Sequence, residues 1–122
     1  MPRFVILRHE TPAGYERASH YDLMLEMGDS LRTWALAELP VPGREMVVEA
    51  LPNHRLAYLD YEGAISGNRG VVTRLETGEF EVLEVSAEVL VVQLSGQQLR
   101  GRLMLRKDVD VGESWKLSLE AV

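Results

Sequence analysis

Short runs of alternating apolar and polar residues, each closed by a turn signal, succeed one another along almost the whole chain. No window sustains a helical 3.6-residue period. Alternation sends successive side chains to opposite faces of a sheet, so each run can bury its apolar face only by pairing with others. The runs are Arg3–Arg8, His20–Met27, Ser30–Ala37, Glu45–Ala50, Ala57–Tyr61, Gly70–Leu75, Phe80–Val85, Val89–Leu94, Arg100–Arg106 and Trp115–Leu119. Gly28-Asp29 reads as a hairpin turn, and GN, TGE, SGQ and VGE separate the later runs. Glu10–Ser19 reads as a loop with at most a helical turn, while Leu39–Gly43 and Leu51–His54 read as breaks. This spacing predicts an all-β fold, an antiparallel barrel or sandwich of short strands with one short helix at most.

The length of 122 residues suits a single domain over 1–122. No apolar run approaches the roughly 20 residues of a membrane helix, and MPRFVILRHE lacks a small-residue cleavage site. The absence of cysteine excludes disulfides and thiolate sites and leads us to expect a reducing, cytoplasmic setting. A formal net charge of -6 argues against broad coating of duplex nucleic acid, yet leaves room for a small basic site. Of 13 basic residues only Lys107 and Lys116 are lysines. Arginine suits phosphate and carboxylate contacts, although codon usage in a GC-rich genome produces the same bias.

Within the strand SHYDLMLEM, Tyr21, Leu23, Leu25 and Met27 share one face and His20, Asp22, Met24 and Glu26 the other. An imidazole and a carboxylate about 7 Å apart along a strand can converge on one divalent ion. His9, at the end of the first run, can supply a third ligand. Two histidines and a carboxylate suit Mn²⁺, Zn²⁺ or Fe²⁺ with positions left open. His20-x-Asp22 with His54 downstream formally fits the facial triad of non-haem iron oxygenases as well. The plain alternative puts His20 and Asp22 on a solvated sheet face.

Downstream, in LPNHRLAYLDYEG, His54 and Tyr58 share a face if the segment is extended and can then hold an anionic group. Their plain alternative is a histidine in a turn and a half-buried tyrosine. Trp34 and Trp115 alternate with apolar neighbours and read as core. Gly101 in LRGRL reads as a bulge or close backbone approach, and Glu45, Glu49, Glu62, Glu76, Glu79 and Glu81 read as solvated.

Taken in order, RFVILRH, HYDLMLEMGDSLRTWAL, a Pro-rich break, NHRLAYLDYEG, LRGRLML and WKLSL resemble the 3′-phosphoesterase module of bacterial DNA ligase D across nearly the whole chain. The most specific elements are HYD-x-x-LE before a tryptophan strand and the downstream H-x-x-x-Y-x-x-x-EG.

The resemblance implies a mainly β fold, a compact antiparallel β-barrel of about eight short strands with at most one or two short helices. Its cavity would hold a divalent metal, typically Mn²⁺ with Zn²⁺ or Co²⁺ as alternatives. It implies trimming of nucleic-acid 3′ ends in DNA repair, with DNA end-joining proteins as partners and no membrane. Carried over, the metal ligands are His9, His20 and Asp22, and the catalytic pair is His54 and Tyr58. The family's arginine two residues beyond the aspartate falls on Met24, and a second falls on Met46. Arg44, Arg8 and Arg17 are the candidate replacements. Beside the 3′-end phosphoesterase stand two further readings, an impaired relative that binds a partner or anion and an enzyme for small phosphorylated metabolites.

Overall fold

The computed structural model describes residues 1–108 and 111–121. Among these residues the strands are β1 Arg3–Glu10, β2 His20–Met27, β3 Ser30–Leu36, β4 Met46–His54, β5 Gly63–Ala64, β6 Val71–Val85, β7 Val89–Gly96, β8 Arg100–Lys107 and β9 Ser114–Ala121. Antiparallel pairing runs β1-β2-β3-β4-β9-β8-β7-β6, and β6 returns to β1 to close an eight-stranded barrel. The two-residue β5 is added against Val71 and Val72, outside that ring. The expected antiparallel barrel is therefore what the chain forms. No helix is long and apolar enough to cross a membrane among the described residues.

All eight barrel strands send side chains into one apolar cluster, which identifies it as the lumen. Taken in strand order, Phe4, Leu23, Trp34, Val48, Phe80, Val92, Leu103 and Leu117 are among its members, one from each strand of the ring. Trp34 and Trp115 meet edge to face at 5.7 Å inside it, as core residues. Gly101 has φ +139° and a Cβ there would lie 2.2 Å from the Glu120 carbonyl, the close approach its sequence position suggested.

A second apolar layer lies on the outside of β1, β2, β3 and β6. Val5, Leu7, Met24, Leu31, Leu59 and Val72 form it, with Leu56, Tyr58 and Ile65 packed against them. Its cover includes a 3₁₀ helix, Leu56–Leu59. Leu56 and Leu59 stand three residues apart, the period at which a 3₁₀ helix superposes side chains, so both can reach the same apolar surface. This corrects the strand expected over Ala57–Tyr61.

Three further expectations are corrected. The TGE sequence is no turn, because β6 runs unbroken through it. Its first half pairs with β1 and its second with β7, and Gly78 faces both Phe4 and Gly96. A Cβ at Gly78 would lie 2.3 Å from the Ser95 carbonyl, so the glycine serves close strand approach instead. Leu51–His54 belongs to β4 and is not a break. Glu76 is buried, 7 % exposed, and accepts backbone N–H bonds from Thr77, Gln97, Gln98 and Leu99 at 2.7–2.9 Å.

Candidate active site

Alternation along β2 sends Tyr21, Leu23 and Leu25 to the lumen side and His20, Asp22 and Met24 to the outer side. The resemblance implied that the polar face lines the barrel cavity. The lumen is instead filled with apolar side chains, and the polar face does not line it. That face opens into a cleft of about 410 Å³ on the outer surface. His20 and Asp22 are 7 % and 2 % exposed, which removes the solvated-face alternative.

Pairing of His9 with His20 across β1 and β2 brings the two imidazoles together, with ring centroids 4.9 Å apart. His20 Nε2 lies 3.0 Å from Asp22 Oδ1, and His9 Nδ1 lies 3.5 Å from Asp22 Oδ2. One donor atom from each residue falls within 4.8 Å of the others.

The far nitrogen of each ring settles the orientation. His20 Nδ1 is 2.8 Å from the Ala18 carbonyl and His9 Nε2 is 2.7 Å from the Arg69 carbonyl. A carbonyl only accepts, so each of these nitrogens carries a proton and donates it. In the neutral rings the lone pairs of His20 Nε2 and His9 Nδ1 then point towards the Asp22 carboxylate. Asp22 Oδ1 is buried without a hydrogen-bond partner among the described residues. Lone pairs on both sides of a gap require positive charge between them. Protons supply some of it: the Asp22 carboxylate holds His9 above its usual pKa against the opposing effect of burial. Burial pushes the Asp22 carboxyl up, but the His20 and His9 imidazoles outweigh it and bring it down to about 2.

Backbone carbonyls orienting both imidazoles, with a carboxylate between, also form a common ligand arrangement for a divalent transition ion. The orphaned Asp22 oxygen and the two inward lone pairs fit such an ion.

His54 reaches the same cleft through a bulge. Leu31 pairs with His54 and Thr33 with Leu51, so Pro52 and Asn53 together oppose the single residue Arg32. If this sequence ran on as a regular strand, His54 would share the lumen-facing parity of Val48 and Ala50. The bulge resets the alternation, and His54 turns outward. His54 Nδ1 donates to the Pro52 carbonyl at 2.9 Å, leaving Nε2 as the acceptor in the neutral ring. Tyr58 meets His54 ring to ring at 5.6 Å, brought there by the 3₁₀ helix and not by an extended segment.

The arginines divide. Arg17 lines the cleft but binds Glu49 through two contacts of 2.7 and 3.0 Å. Arg8 lies on the opposite face of β1 from His9, stacked over Tyr21 and 3.9 Å from Glu10. Arg44 pairs with Glu38 at 3.2 Å and does not line the cleft. Met24 is 1 % exposed in the outer apolar layer and forms part of the cleft's lining, while Met46 packs against the lumen.

Sequence reasoning missed Arg55 and Arg69, which also line the cleft. Arg55 follows His54 directly, an adjacency that could have flagged it. Arg69 contributes its main-chain carbonyl to His9, a role that no side-chain motif signals.

A closed barrel bearing a two-histidine, one-carboxylate cluster in an outer cleft, with a third histidine facing it, defines a candidate hydrolytic site on a small β scaffold. The family model of the DNA Ligase D 3′-phosphoesterase domain matches residues 9–107, and the chain belongs to that family. No curated protein matches it.

Proposed function

We propose that the protein is a metal-dependent phosphoesterase acting on nucleic-acid 3′ ends in DNA repair, removing a 3′-phosphate or a 3′-ribonucleoside. The observation that carries this reading is the pair of carbonyl-oriented imidazoles facing the orphaned oxygen of buried Asp22. His9, His20 and Asp22 would hold the ion, Mn²⁺ being preferred and Zn²⁺ or Co²⁺ the alternatives. Held by these residues, it would supply Lewis-acid polarisation of a phosphoryl oxygen.

The chain's own residues have the remaining tasks. His54, protonated at Nε2, donates to the leaving oxygen or to the charge developing on the phosphoryl group. Tyr58 restrains that ring by edge-to-face packing. Ala18 and Arg69 carbonyls hold the ligand imidazoles in the required tautomer. We place this activity in the cytoplasm, on a single domain, alongside DNA end-joining proteins.

Turnover of a primer-template carrying a 3′-terminal phosphate, with and without Mn²⁺, tests the proposal. Metal-dependent phosphate release from the oligonucleotide, faster than from a mononucleotide, is the expected result. Equal rates on both would favour a small phosphorylated substrate.

A second reading rests on Met24, whose burial in the apolar layer leaves no charged group where the family places an arginine. On this reading the site binds an anion or partner without turning it over. A large gain in turnover per folded molecule in Met24→Arg would favour that reading.

A further inference from the structure

Among the described residues three arginines line the cleft, and their engagements differ. The Arg17 guanidinium is held by both oxygens of Glu49. Arg69 donates from Nε to the Ser66 carbonyl at 2.7 Å and from Nη2 to the Ser66 hydroxyl at 3.2 Å. The Arg55 side chain has no hydrogen bond or ion pair among the described residues, and it makes no capping bond at the 3₁₀ helix it precedes. An exposed guanidinium beside His54 is thus left with all of its donors free.

Arg55 also stands between two cavities. Beyond the cleft lies a smaller one of about 240 Å³, and the two share Arg55, Tyr58 and Ile65 as common walls. Tyr61 and Tyr58 meet edge to face at 5.9 Å at its side, and the Tyr61 hydroxyl donates to the Ala64 carbonyl, which fixes that ring. Tyr61 is 40 % exposed, so ring surface remains available for contact. A free guanidinium next to fixed aromatic surface has the chemistry of a single-stranded nucleotide site: charge for the phosphate and a π-face for the base.

We infer that Arg55 grips the substrate phosphate and that the adjoining pocket, walled by Tyr58, Tyr61 and Ile65, seats the nucleoside attached to it. This rests on the proposed 3′-phosphoesterase reading and adds to it the positioning group that Met24 cannot provide. It also assigns the substrate class: a nucleotide 3′ end is held by base and phosphate together, whereas a bare phosphomonoester meets Arg55 alone.

Binding separates this inference from the reaction. In EDTA, where the metal-dependent reaction is silent, a 5′-fluorescent oligonucleotide with a 3′-phosphate is titrated with the full chain and read by anisotropy. Arg55→Ala is expected to weaken binding about tenfold or more, the size of one lost charge-assisted contact. Arg55→Lys should recover part of the loss, and Arg102→Ala, a barrel-surface arginine paired with Glu120, should bind as wild type does. Tyr61→Ala should weaken the oligonucleotide about fivefold or more while leaving inorganic phosphate binding, followed by calorimetry, unchanged. The Mn²⁺-induced thermal shift of each variant reports an intact fold and cluster. Wild-type affinity in Arg55→Ala overturns the inference, as does an absence of binding by wild type. The reaction is read separately in Mn²⁺: Arg55-dependent binding without turnover supports the subsite and overturns the phosphoesterase reading, whereas turnover indifferent to Arg55 does the reverse.

Discussion

Asp22 holds the two imidazoles in place, yet one of its buried oxygens lacks a hydrogen-bond partner among the described residues. On the proposed reading, a divalent ion held there would relieve that deficit only in the folded state, so its binding would add stability by mass action, about 2.7 kcal/mol at a hundredfold excess over Kd. Scanning calorimetry of wild type should show Tm rising with Mn²⁺ by several degrees, and Asp22→Ala or His20→Ala should lose that rise. His54→Ala should keep the full rise while its turnover falls roughly 10²–10⁴-fold, the usual range for a positioned acid. Parallel loss of both properties in His54→Ala would place that residue among the ligands instead. The proposed ligand residues were legible as types: an H-x-D strand and a histidine at a strand end. The carbonyls of Ala18 and Arg69 were not, because every residue carries a carbonyl and only the fold selects which one faces a ring.

At the scale of elements, one local device places His54 in the site and a second ties β6 to the β7–β8 connection. The bulge in β4 turns His54 outward, because a one-residue change of register reverses which face a strand residue occupies. Deleting Asn53 should remove the bulge and still leave His54 opposite Leu31, two residues beyond Leu51 and on the outer face. Turnover and the Mn²⁺ thermal shift should then both stay near wild type, and a drop to the level of His54→Ala would contradict this account of the bulge.

The second device is Glu76, whose carboxylate ties β6 to residues 97–99. Burial alone would raise its pKa, but the Gln98, Leu99, Gln97 and Thr77 amides outweigh burial and hold it below its ordinary 4.5. The unfolded chain therefore takes up this proton at higher pH than the folded chain does. Glu76's contribution is complete above about 4.5 and is lost as the pH falls through its lower folded value. Glu76→Gln should cost about 1–3 kcal/mol in urea unfolding at neutral pH and flatten the acid limb of stability below 4.5. A variant with wild-type stability and an unchanged acid limb would remove Glu76 from this role. Neither device was legible beforehand. A bulge is an offset between two strands, and an isolated Glu in a turn-rich segment resembles any solvated one.

For the whole molecule, alternation and turn signals narrowed the fold to an antiparallel barrel or sandwich, and the family resemblance selected the barrel. They did not reveal that the chain builds two apolar layers, one in the lumen and one outside. Val5 and Leu7 read as part of a continuous apolar run, which cannot tell which side of a strand will be covered. That second layer is why the polar face of β2 opens to an external cleft. The three arginines there, one of them paired with Glu49, offer phosphate contacts on a body of net charge -6. Oligonucleotide binding should consequently weaken with salt, but with a shallow slope, about -0.7 per phosphate neutralised and no more than about three phosphates. A much steeper slope would mean a nucleic-acid surface far larger than this cleft.

The central question is whether the cluster in the cleft supports the reaction of its family. The most direct measurement is phosphate release from a duplex primer-template with a 3′-terminal phosphate, by wild type and Asp22→Ala, each in Mn²⁺ and in EDTA. Release by wild type in Mn²⁺ alone, absent from Asp22→Ala, is the predicted result. Full release by Asp22→Ala, or none from folded, Mn²⁺-loaded wild type, would contradict it.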